Sequence, residues 1–250
     1  MKISIITVCY NSEKYIRSSI ESVLNQRYEN IEYIVVDGNS SDATVDIIKS
    51  YVPLFNGRMR WISESDSGLY DAMNKGLKMS SGDIIGTLNS DDMFAESGAI
   101  EKILSVFHNN DVDCVYADLC YVSHNNTDKI IRRWSSGSRK PFFKGWHPAH
   151  PTFYVKKGIY REFGLFNLAY KFAADFELML RFLDRHQISA CYLPEMLVKM
   201  RLGGTTNKSL VNIIKGNIEC YRAFKDNGIS ISILYPLYRL LPKLTQFLQR

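Results

Sequence analysis

The segment IEYIVVDGNSSDAT, residues 31–44, decides the fold of this chain. Residues 31–36 are a short, largely apolar run, which predicts a strand buried inside a sheet. Asp37 follows at once, and a helix is predicted over residues 43–51. A strand, an acidic turn and a helix form one unit of an α/β sheet, and open sheets of this class bind ligands at the carboxyl ends of their strands.

The same unit recurs through the first hundred residues. Buried strands are predicted at residues 2–8, 60–63 and 83–88, and amphipathic helices at 13–26 and 69–80. Acidic residues follow two of these strands, Asp66 in SESDSGLYDAMNKG (63–76) and Asp91 and Asp92 in GTLNSDD (86–92). This alternation of strands and helices predicts a doubly wound, mostly parallel α/β sheet flanked by helices, with the acidic loops along one edge.

The second half of the chain has a different pattern. A helix is expected at residues 97–108, two strands at 113–123 and 129–134, and a further helix at 173–185. Residues 135–151 are rich in Gly, Pro and Ser and are expected to form a mobile active-site loop, and residues 199–207 should also be flexible. We therefore expect one domain at 1–205, in which the pattern changes after residue 112, followed by a helical segment at 206–250 that could lie on a membrane surface.

Composition excludes several classes of protein. The 250 residues are 46% hydrophobic, enough for a sizeable core, and the 31 Lys and Arg against 26 Asp and Glu are too mild an excess to predict nucleic acid as a partner. Five cysteines without a C-x-x-C pair favour a reducing cytosol. No apolar stretch approaches the ~20 residues that cross a bilayer, and the first residues lack the pattern of a signal peptide.

The last 22 residues, 229–250, contain no acidic residue. Leucines recur at helical spacing beside Arg239, Lys243 and Arg250, while Pro236 and Pro242 would kink or split a helix. One interpretation is a segment that lies on the anionic cytoplasmic surface of a membrane. The other is a terminal helix that packs on the domain or on a second subunit, and the sequence leaves both open.

Asp37 and Asp66 suit the nucleoside end of a nucleotide. A carboxylate only accepts hydrogen bonds, so it can bind the N–H of a base or the hydroxyls of a ribose, but it repels a diphosphate. The structural alternative is that Asp37, before Gly38, only shapes a turn or caps the next helix.

These motifs together, in order between Ile3 and Asn207, resemble family 2 glycosyltransferases. The resemblance implies the GT-A fold and sugar transfer from a nucleotide donor with inversion at the anomeric carbon. It makes 1–205 the catalytic domain, with a nucleotide-binding half at 1–112 and an acceptor half at 113–205. It also implies that Tyr10 in VCYN lies along a uracil, that Asp37 binds the base, and that Asp66 lies near the base and ribose.

LNSDD stands where the family has a D-x-D metal motif. Asp91 matches the second carboxylate, Asp92 follows it, and Asn89 replaces the first. Oxygen ligands suit Mn²⁺ or Mg²⁺, which would bridge the two phosphates and neutralise charge on the departing nucleotide. Because Asn89 brings a carbonyl oxygen without charge, it could weaken the metal site or contact the ribose instead. The structural alternative for this pair is an ordinary turn before the next helix.

Asp175, in KFAADFELMLRF, matches the family's acidic residue at the start of a helix beneath the acceptor. The resemblance makes it the general base that takes the proton of the attacking hydroxyl. Without the resemblance, an ordinary acidic residue in the first helical turn is equally compatible with the sequence. Glu177 is the second candidate, although two residues along a helix it points elsewhere.

Three further residues are expected near the acceptor or the diphosphate. Trp146 and His150 lie in GWHPAHP, and the resemblance places the latter toward the acceptor or diphosphate, while the indole could stack on a sugar or belong to the core. Arg201 begins RLGGTTN, which resembles a Gly-rich loop that closes over the diphosphate. A simple glycine turn is the structural alternative.

The leading hypothesis is a metal-dependent, inverting hexosyltransferase at the cytoplasmic face of the inner membrane. Its donor would be a UDP-sugar, and its acceptor a polyprenyl-diphosphate-linked saccharide in the synthesis of a bacterial surface polysaccharide such as O-antigen or capsule. One alternative is a sugar nucleotidyltransferase, which needs a Gly-rich phosphate loop that VCYNSEKY lacks. Another is an inactive nucleotide-sugar-binding or membrane-scaffolding protein, which the replacement at Asn89 favours.

Overall fold

The structure is a computed structural model that describes residues 1–202 and 210–236. In this described part of the chain, nine strands form one sheet with the order β3-β2-β1-β4-β8-β6-β9-β5, and β7 pairs with β6 outside this path. The strands are β1 (Ile3–Cys9), β2 (Ile31–Asp37), β3 (Met59–Ser63), β4 (Ile84–Thr87), β5 (Met93–Phe94), β6 (Cys114–Val122), β7 (Ile130–Trp134), β8 (Tyr154–Lys156) and β9 (Ala190–Arg201).

Within residues 1–202 and 210–236, seven α-helices lie on the two faces of the sheet. They are α1 (Ile16–Leu24), α2 (Thr44–Tyr51), α3 (Leu69–Met79), α4 (Ala99–Asn109), α5 (Lys157–Phe163), α6 (Ala174–Leu180) and α7 (Leu210–Asp226). The predicted α/β class is confirmed, and each element predicted in residues 1–112 is present, with ends shifted by at most three residues.

Strands β1 to β4 are parallel, and their register places the acidic loops side by side at one edge of the sheet. Cys9 at the end of β1 pairs with Asp37 at the end of β2, and this residue pairs in turn with Ser63 at the end of β3. Strand β4 runs parallel to β1 on its other side. Because these four strands are parallel, the loops that follow them all emerge at one edge of the sheet.

The rest of the sheet joins this unit through antiparallel pairs. Strand β8 runs antiparallel to both β4 and β6, β5 runs antiparallel to β9, and the long strands β6 and β9 are parallel to each other. The predicted pair around the polar turn at 124–126 is the antiparallel pair β6 and β7. Strands β5, β8 and β9 have no counterpart among the predicted strands. For β5 and β8 the reason is their length, because two or three residues are too few to show a periodic pattern. The boundaries predicted at residues 112 and 205 stay predictions.

Alternate side chains of the strands enter two apolar layers, one on each face of the sheet. In β1, Ile6 and Val8 join the layer that includes α3, α6 and α7, whereas Ile3 and Ile5 join the layer that includes α1 and α4. All four are buried. The strand is therefore apolar on both faces, as expected for the centre of a parallel sheet.

Three local expectations differ from the structure. Residues 135–151, expected to be a mobile loop, contain a 3₁₀ turn at Phe142–Lys144 and enter a second at His150–Thr152. Ser136, Phe142 and Ala149 are buried, because aromatic side chains in this segment pack on the core. The helix expected at 173–185 leaves α-helical geometry after Leu180 and closes with a π turn. Lys199 and the next two residues belong to β9, and the remainder of the expected flexible segment, 203–207, lies outside the described residues.

The C-terminal segment begins by packing on the domain. Tyr235 is buried, with its ring 4.8 Å from that of Phe224 in α7, whereas Ile233 is 80% exposed. Residues 237–250, which contain most of the predicted amphipathic segment, lie outside the described residues. Within residues 1–202 and 210–236, no helix is long and apolar enough to span a membrane.

Candidate active site

Asp37 is fully buried at the end of β2, and its carboxylate is engaged by neighbouring loops. Its Oδ2 atom accepts hydrogen bonds from the Ser40 backbone N–H (2.9 Å) and the Ser63 hydroxyl (2.7 Å). Its Oδ1 atom accepts from the Ser40 hydroxyl and, at 3.6 Å, from the Cys9 thiol. These bonds hold the ends of β1, β2 and β3 together, and the predicted contact of Asp37 with a base stays a prediction.

Tyr10, Gly38 and Asp66 converge beside this carboxylate. Tyr10 is 64% exposed, and Asp66 is half-buried, with its Oδ1 atom accepting the N–H of Gly68 at 2.8 Å. A Cβ atom on Gly38 would lie 2.6 Å from Asp66 Oδ2 and 3.4 Å from Tyr10 Cδ2. The lack of a side chain at Gly38 therefore leaves room for an aromatic face and a carboxylate to line one cradle.

The turn Asn89–Asp92 separates the two carboxylates of the NSDD motif. Asp92 is fully buried, where its Oδ2 atom accepts the side-chain amide of Asn89 at 2.8 Å and its Oδ1 atom has no partner among the described residues. Burial, and then the charge of Asp91, raise the pKa of Asp92 well above its ordinary value. Asp91 is half-exposed, so the two acidic residues differ in access, and Asp91 is the one that solvent reaches.

Arg201, the last residue of β9, lies against this turn. It is 6% exposed, its Nη1 atom donates to the backbone carbonyl of Asp91 at 2.7 Å, and its guanidinium lies 5.0 Å from the ring centroid of Tyr15. Its Nε atom is buried without a hydrogen-bond partner among the described residues. Strand β9 thus places a positively charged guanidinium beside the acidic turn.

The candidate base Asp175 lies in the first turn of α6 and is half-buried. Its Oδ1 atom accepts a hydrogen bond from the hydroxyl of Tyr70, at 3.0 Å. Tyr70 lies in the first turn of α3, four residues after Asp66, so this bond ties the candidate base to the loop that lines the cradle. Tyr70 is a site residue that sequence reasoning missed, because its partner is 105 residues away.

His150 lies between the end of β4 and Asp175. Its Nε2 atom is 3.5 Å from the Thr87 hydroxyl, and its ring packs edge-on against Phe166, which stacks on Tyr70. Burial lowers the pKa of His150, and the charge of Asp175 acts in the opposite direction. The structure therefore brings His150 and Asp175 to the edge where the acidic loops emerge.

Trp146 packs into the domain. Its indole N–H donates to the carbonyl of Ser136 at 2.6 Å, and its ring meets Tyr116 and Phe142 edge-on. The indole is half-buried, and these contacts match the core alternative of the sequence analysis. Its predicted contact with an acceptor sugar stays a prediction.

Glu177 points away from Asp175, as its spacing predicts. It is 3% exposed, pairs with Arg181 at 3.0 Å, and accepts the side-chain amide of Asn227 at 3.0 Å. A carboxylate with this degree of burial and pairing stabilises the fold and is not placed to receive a proton from an acceptor.

The residues present fit a divalent cation that a nucleotide helps to hold. Among the described residues, no group of three or more His, Cys, Asp and Glu could enclose a metal. Mg²⁺ and similar ions are commonly bound through one or two carboxylates together with substrate phosphates. Asp91 offers one such carboxylate at the acidic turn, whereas Asp92 beside it is fully buried, so its predicted role as a second ligand stays a prediction.

The comparison with known proteins identifies the family. The sequence model described as glycosyl transferase family 2 matches residues 4–166. The chain belongs to glycosyl transferase family 2. The predicted family is thereby confirmed, and the chain is a glycosyltransferase.

Several relatives match most of the chain. An uncharacterised glycosyltransferase of Haemophilus influenzae is 29% identical, over 97% of this chain and 87% of that protein. A PGL/p-HBAD biosynthesis glycosyltransferase of Mycobacterium bovis is 26% identical, over 82% of this chain and 78% of that protein. An uncharacterised glycosyltransferase of Rickettsia typhi is 31% identical, over 83% of this chain and 67% of that protein.

Solved structures confirm the GT-A fold. TarS 1-349 of S. aureus, in complex with UDP-GlcNAc, has a TM-score of 0.69 and 19% identity, over 91% of this chain and 65% of that one. The mannosyltransferase PcManGT of Pyrobaculum calidifontis, in complex with GDP-Man and Mn²⁺, has a TM-score of 0.68 and 14% identity, over 97% of this chain and 73% of that one. At these identities the likeness is one of fold.

Proposed function

We propose that this glycosyltransferase moves a hexose from a UDP-sugar, with inversion, to a saccharide on a polyprenyl diphosphate lipid. The reaction would take place at the cytoplasmic face of the inner membrane and serve the synthesis of a surface polysaccharide such as O-antigen or capsule. The observation that carries the chemistry is the hydrogen bond between Tyr70 and Asp175, since it ties a half-buried carboxylate to the donor-side loop. A nucleotide-sugar donor is supported by the ligands in the TarS and PcManGT complexes.

In the proposed reaction, the acceptor hydroxyl attacks the anomeric carbon as the bond to the UDP oxygen breaks. Asp175 takes the hydroxyl proton, and UDP leaves on the opposite side of the sugar. One carboxylate is sufficient for this single displacement, and a general base contributes about 10² to 10⁴ in rate. The exposed ring of Tyr10 and the carboxylate of Asp66 would hold the nucleoside.

In the proposed complex, the diphosphate of the donor lies at the acidic turn. Asp91 would hold Mn²⁺ or Mg²⁺, which when bound neutralises charge on the departing diphosphate. Arg201 is positioned beside the same turn, and its buried, unpartnered Nε atom supports a role in binding an anionic group there. Asn89 is engaged with Asp92, so in this conformation one N–H of its side-chain amide is not available to a nucleotide.

The test measures transfer and hydrolysis with UDP-glucose, UDP-galactose and UDP-N-acetylglucosamine in the presence of Mn²⁺, against synthetic lipid diphosphate acceptors, by mass spectrometry. The parent is compared with Asp175→Asn and Asp91→Ala. Asp175→Asn should lose transfer by about 10² or more while it still binds UDP. Full turnover by this variant would remove Asp175 as the base.

The second candidate is a nucleotide-sugar-binding protein without transferase activity. The specific observation that favours it is the engagement of Asn89 and the burial of Asp92, which leave one accessible carboxylate at the turn. Calorimetry that detects UDP binding, combined with no transfer or hydrolysis for any donor, would support this candidate.

A further inference from the structure

One side of α7 presents apolar side chains to solvent. Val211, Ile214 and Ile218 are 57%, 59% and 61% exposed, and their spacing of three and four residues places them on one stripe of the helix. Beyond the helix, Ile233 and Leu234 are 80% and 49% exposed. Single exposed apolar residues are ordinary, but an aligned stripe marks a surface that another body covers.

The charges along this stripe are positive. Lys215 is four residues from Val211 and Lys225 is seven residues from Ile218, so both exposed lysines lie on the side of the stripe. The acidic residues of α7 are engaged elsewhere. Glu219 accepts backbone N–H groups of residues 171–173, and Asp226 accepts the Tyr170 hydroxyl.

The charge of the whole chain has the same distribution. Residues 208–250 contain seven Lys and Arg and two acidic residues, whereas residues 1–207 contain 24 of each. The formal excess of five therefore belongs to the last 43 residues. A neutral catalytic part joined to a basic, partly apolar C-terminal part is typical of a protein that meets an anionic surface at that end.

Helix α7 also holds the candidate base in place. The two carboxylate oxygens of Glu219 accept the N–H groups of Lys171 at 3.0 Å, Phe172 at 2.8 Å and Ala173 at 2.9 Å, immediately before α6 begins. Asp175 is the second residue of α6. A body bound to the outer side of α7 is thus connected, through one residue of the same helix, to the segment that carries the base.

We propose that the stripe Val211, Ile214 and Ile218, with Lys215 and Lys225, is the surface by which the protein docks on an anionic lipid bilayer. The inference rests on the proposed function, because that bilayer would hold the acceptor lipid. The positive charge of the stripe favours an anionic bilayer over a second copy of the chain or the chain's own C-terminal residues. A second copy facing the stripe would bring like charges together, and the chain's own residues 237–250 contain three basic and no acidic residues.

The test is flotation of the full chain, without any substrate, with phosphatidylcholine vesicles that contain or lack phosphatidylglycerol. The parent should bind the anionic vesicles, and binding should fall as salt is raised. The double change Ile214→Gln and Ile218→Gln, and the double change Lys215→Glu and Lys225→Glu, should each weaken binding on the order of tenfold or more. Matched controls are Leu54→Gln, at an apolar residue 53% exposed on another element, and Lys140→Glu, and both should bind like the parent.

Two outcomes would overturn the inference. One is a parent that does not bind anionic vesicles, or an Ile214→Gln, Ile218→Gln variant that binds as well as the parent. The other is a parent that sediments as a dimer which the same variant dissociates, since a second copy would then cover the stripe.

A separate measurement distinguishes failure of the docking surface from failure of the proposed function. Transfer to a vesicle-embedded acceptor, divided by transfer to a short-chain soluble acceptor, should fall in the Ile214→Gln, Ile218→Gln variant and support the docking surface. An unchanged ratio would contradict it. If the parent transfers sugar to neither acceptor, the proposed function fails, while the vesicle-binding result still decides the docking surface.

Discussion

The hydroxyl of Tyr70 donates a hydrogen bond of 3.0 Å to Asp175, and this bond connects α3 to α6. Helix α3 follows the loop of Asp66, which lines the cradle, and α6 carries the candidate base. Burial, and then the charge of Asp175, raise the pKa of Tyr70 well above its ordinary value, so the phenol keeps its proton and stays a donor. Tyr70 also stacks on Phe166. It is therefore placed to fix the direction in which the carboxylate faces the acceptor.

Tyr70→Phe should lower kcat about tenfold and leave the affinity for UDP nearly unchanged, because it removes one hydrogen bond to the base without removing the ring. Steady-state kinetics with a UDP-sugar and calorimetry with UDP separate the two effects. Thermal unfolding serves as the control, since the stack on Phe166 is kept. A variant with weakened UDP binding and unchanged kcat would assign Tyr70 to the donor site instead.

Replacement of Asp91 by Asn should lower the apparent Mn²⁺ affinity much more than replacement of Asp92 by Asn. Asp92 is buried and its raised pKa favours the neutral form, so it adds little charge to a metal site, and Asp92→Asn should keep the apparent Mn²⁺ affinity within about threefold. Asp91→Asn removes the accessible carboxylate and should raise the Mn²⁺ concentration for half-maximal transfer by about tenfold or more. The measurement is a Mn²⁺ titration of transfer, with UDP binding without metal as the control. Equal effects of the two changes would show that both carboxylates bind the ion.

The sequence predicts the strand ends better than it predicts side-chain directions. Asp37, Asp66 and Asp91 each follow a short apolar run, and the register of a parallel sheet then brings the three loops to one edge, so local pattern is sufficient. The sequence does not show which of Asp91 and Asp92 is buried, because the fold alone decides which of two neighbouring residues in a turn is buried.

The contacts that sequence reasoning missed are distant along the chain. Tyr70 meets Asp175 across 105 residues, and Glu219 meets Ala173 across 46. Both Tyr70 and Glu219 lie on helices whose patterns give no sign of a polar partner elsewhere. Trp146 shows the reverse case: an aromatic residue in a Gly- and Pro-rich segment suggested a binding loop, yet its N–H is bonded within the domain.

The pH dependence of stability should include a component from Glu32. Burial alone would raise the pKa of this carboxyl, but hydrogen bonds from Ser4 and Ser81 and the charge of Lys2 outweigh burial and lower it to about 2. Because the folded-state pKa lies below the ordinary value of 4.5, the contribution is complete above about pH 4.5 and is lost as the pH falls toward 2.

Glu32→Gln should therefore reduce the free energy of unfolding at pH 7 by on the order of 2 kcal/mol. Urea unfolding of parent and variant at pH 7, 5, 4 and 3 compares them under identical conditions, so acid effects on other groups cancel. The difference between the two proteins should narrow between about pH 4.5 and 3. A constant difference at every pH would mean that packing, not charge, is the source of the effect.

Gly38 should determine nucleotide affinity with little effect on folding. A methyl group there would lie 2.6 Å from Asp66 Oδ2, which is the end of a side chain that can rotate away, so Gly38→Ala displaces the carboxylate at small cost in stability. UDP affinity should fall about tenfold by calorimetry, because a hydrogen bond of the carboxylate with the nucleoside is lost. Gly158→Ala is the matched control, since a Cβ atom there meets nothing within 4 Å. In a double-mutant cycle with Asp66→Ala, the effect of Gly38→Ala should largely disappear, and a full, additive loss would place its cause at Tyr10 instead.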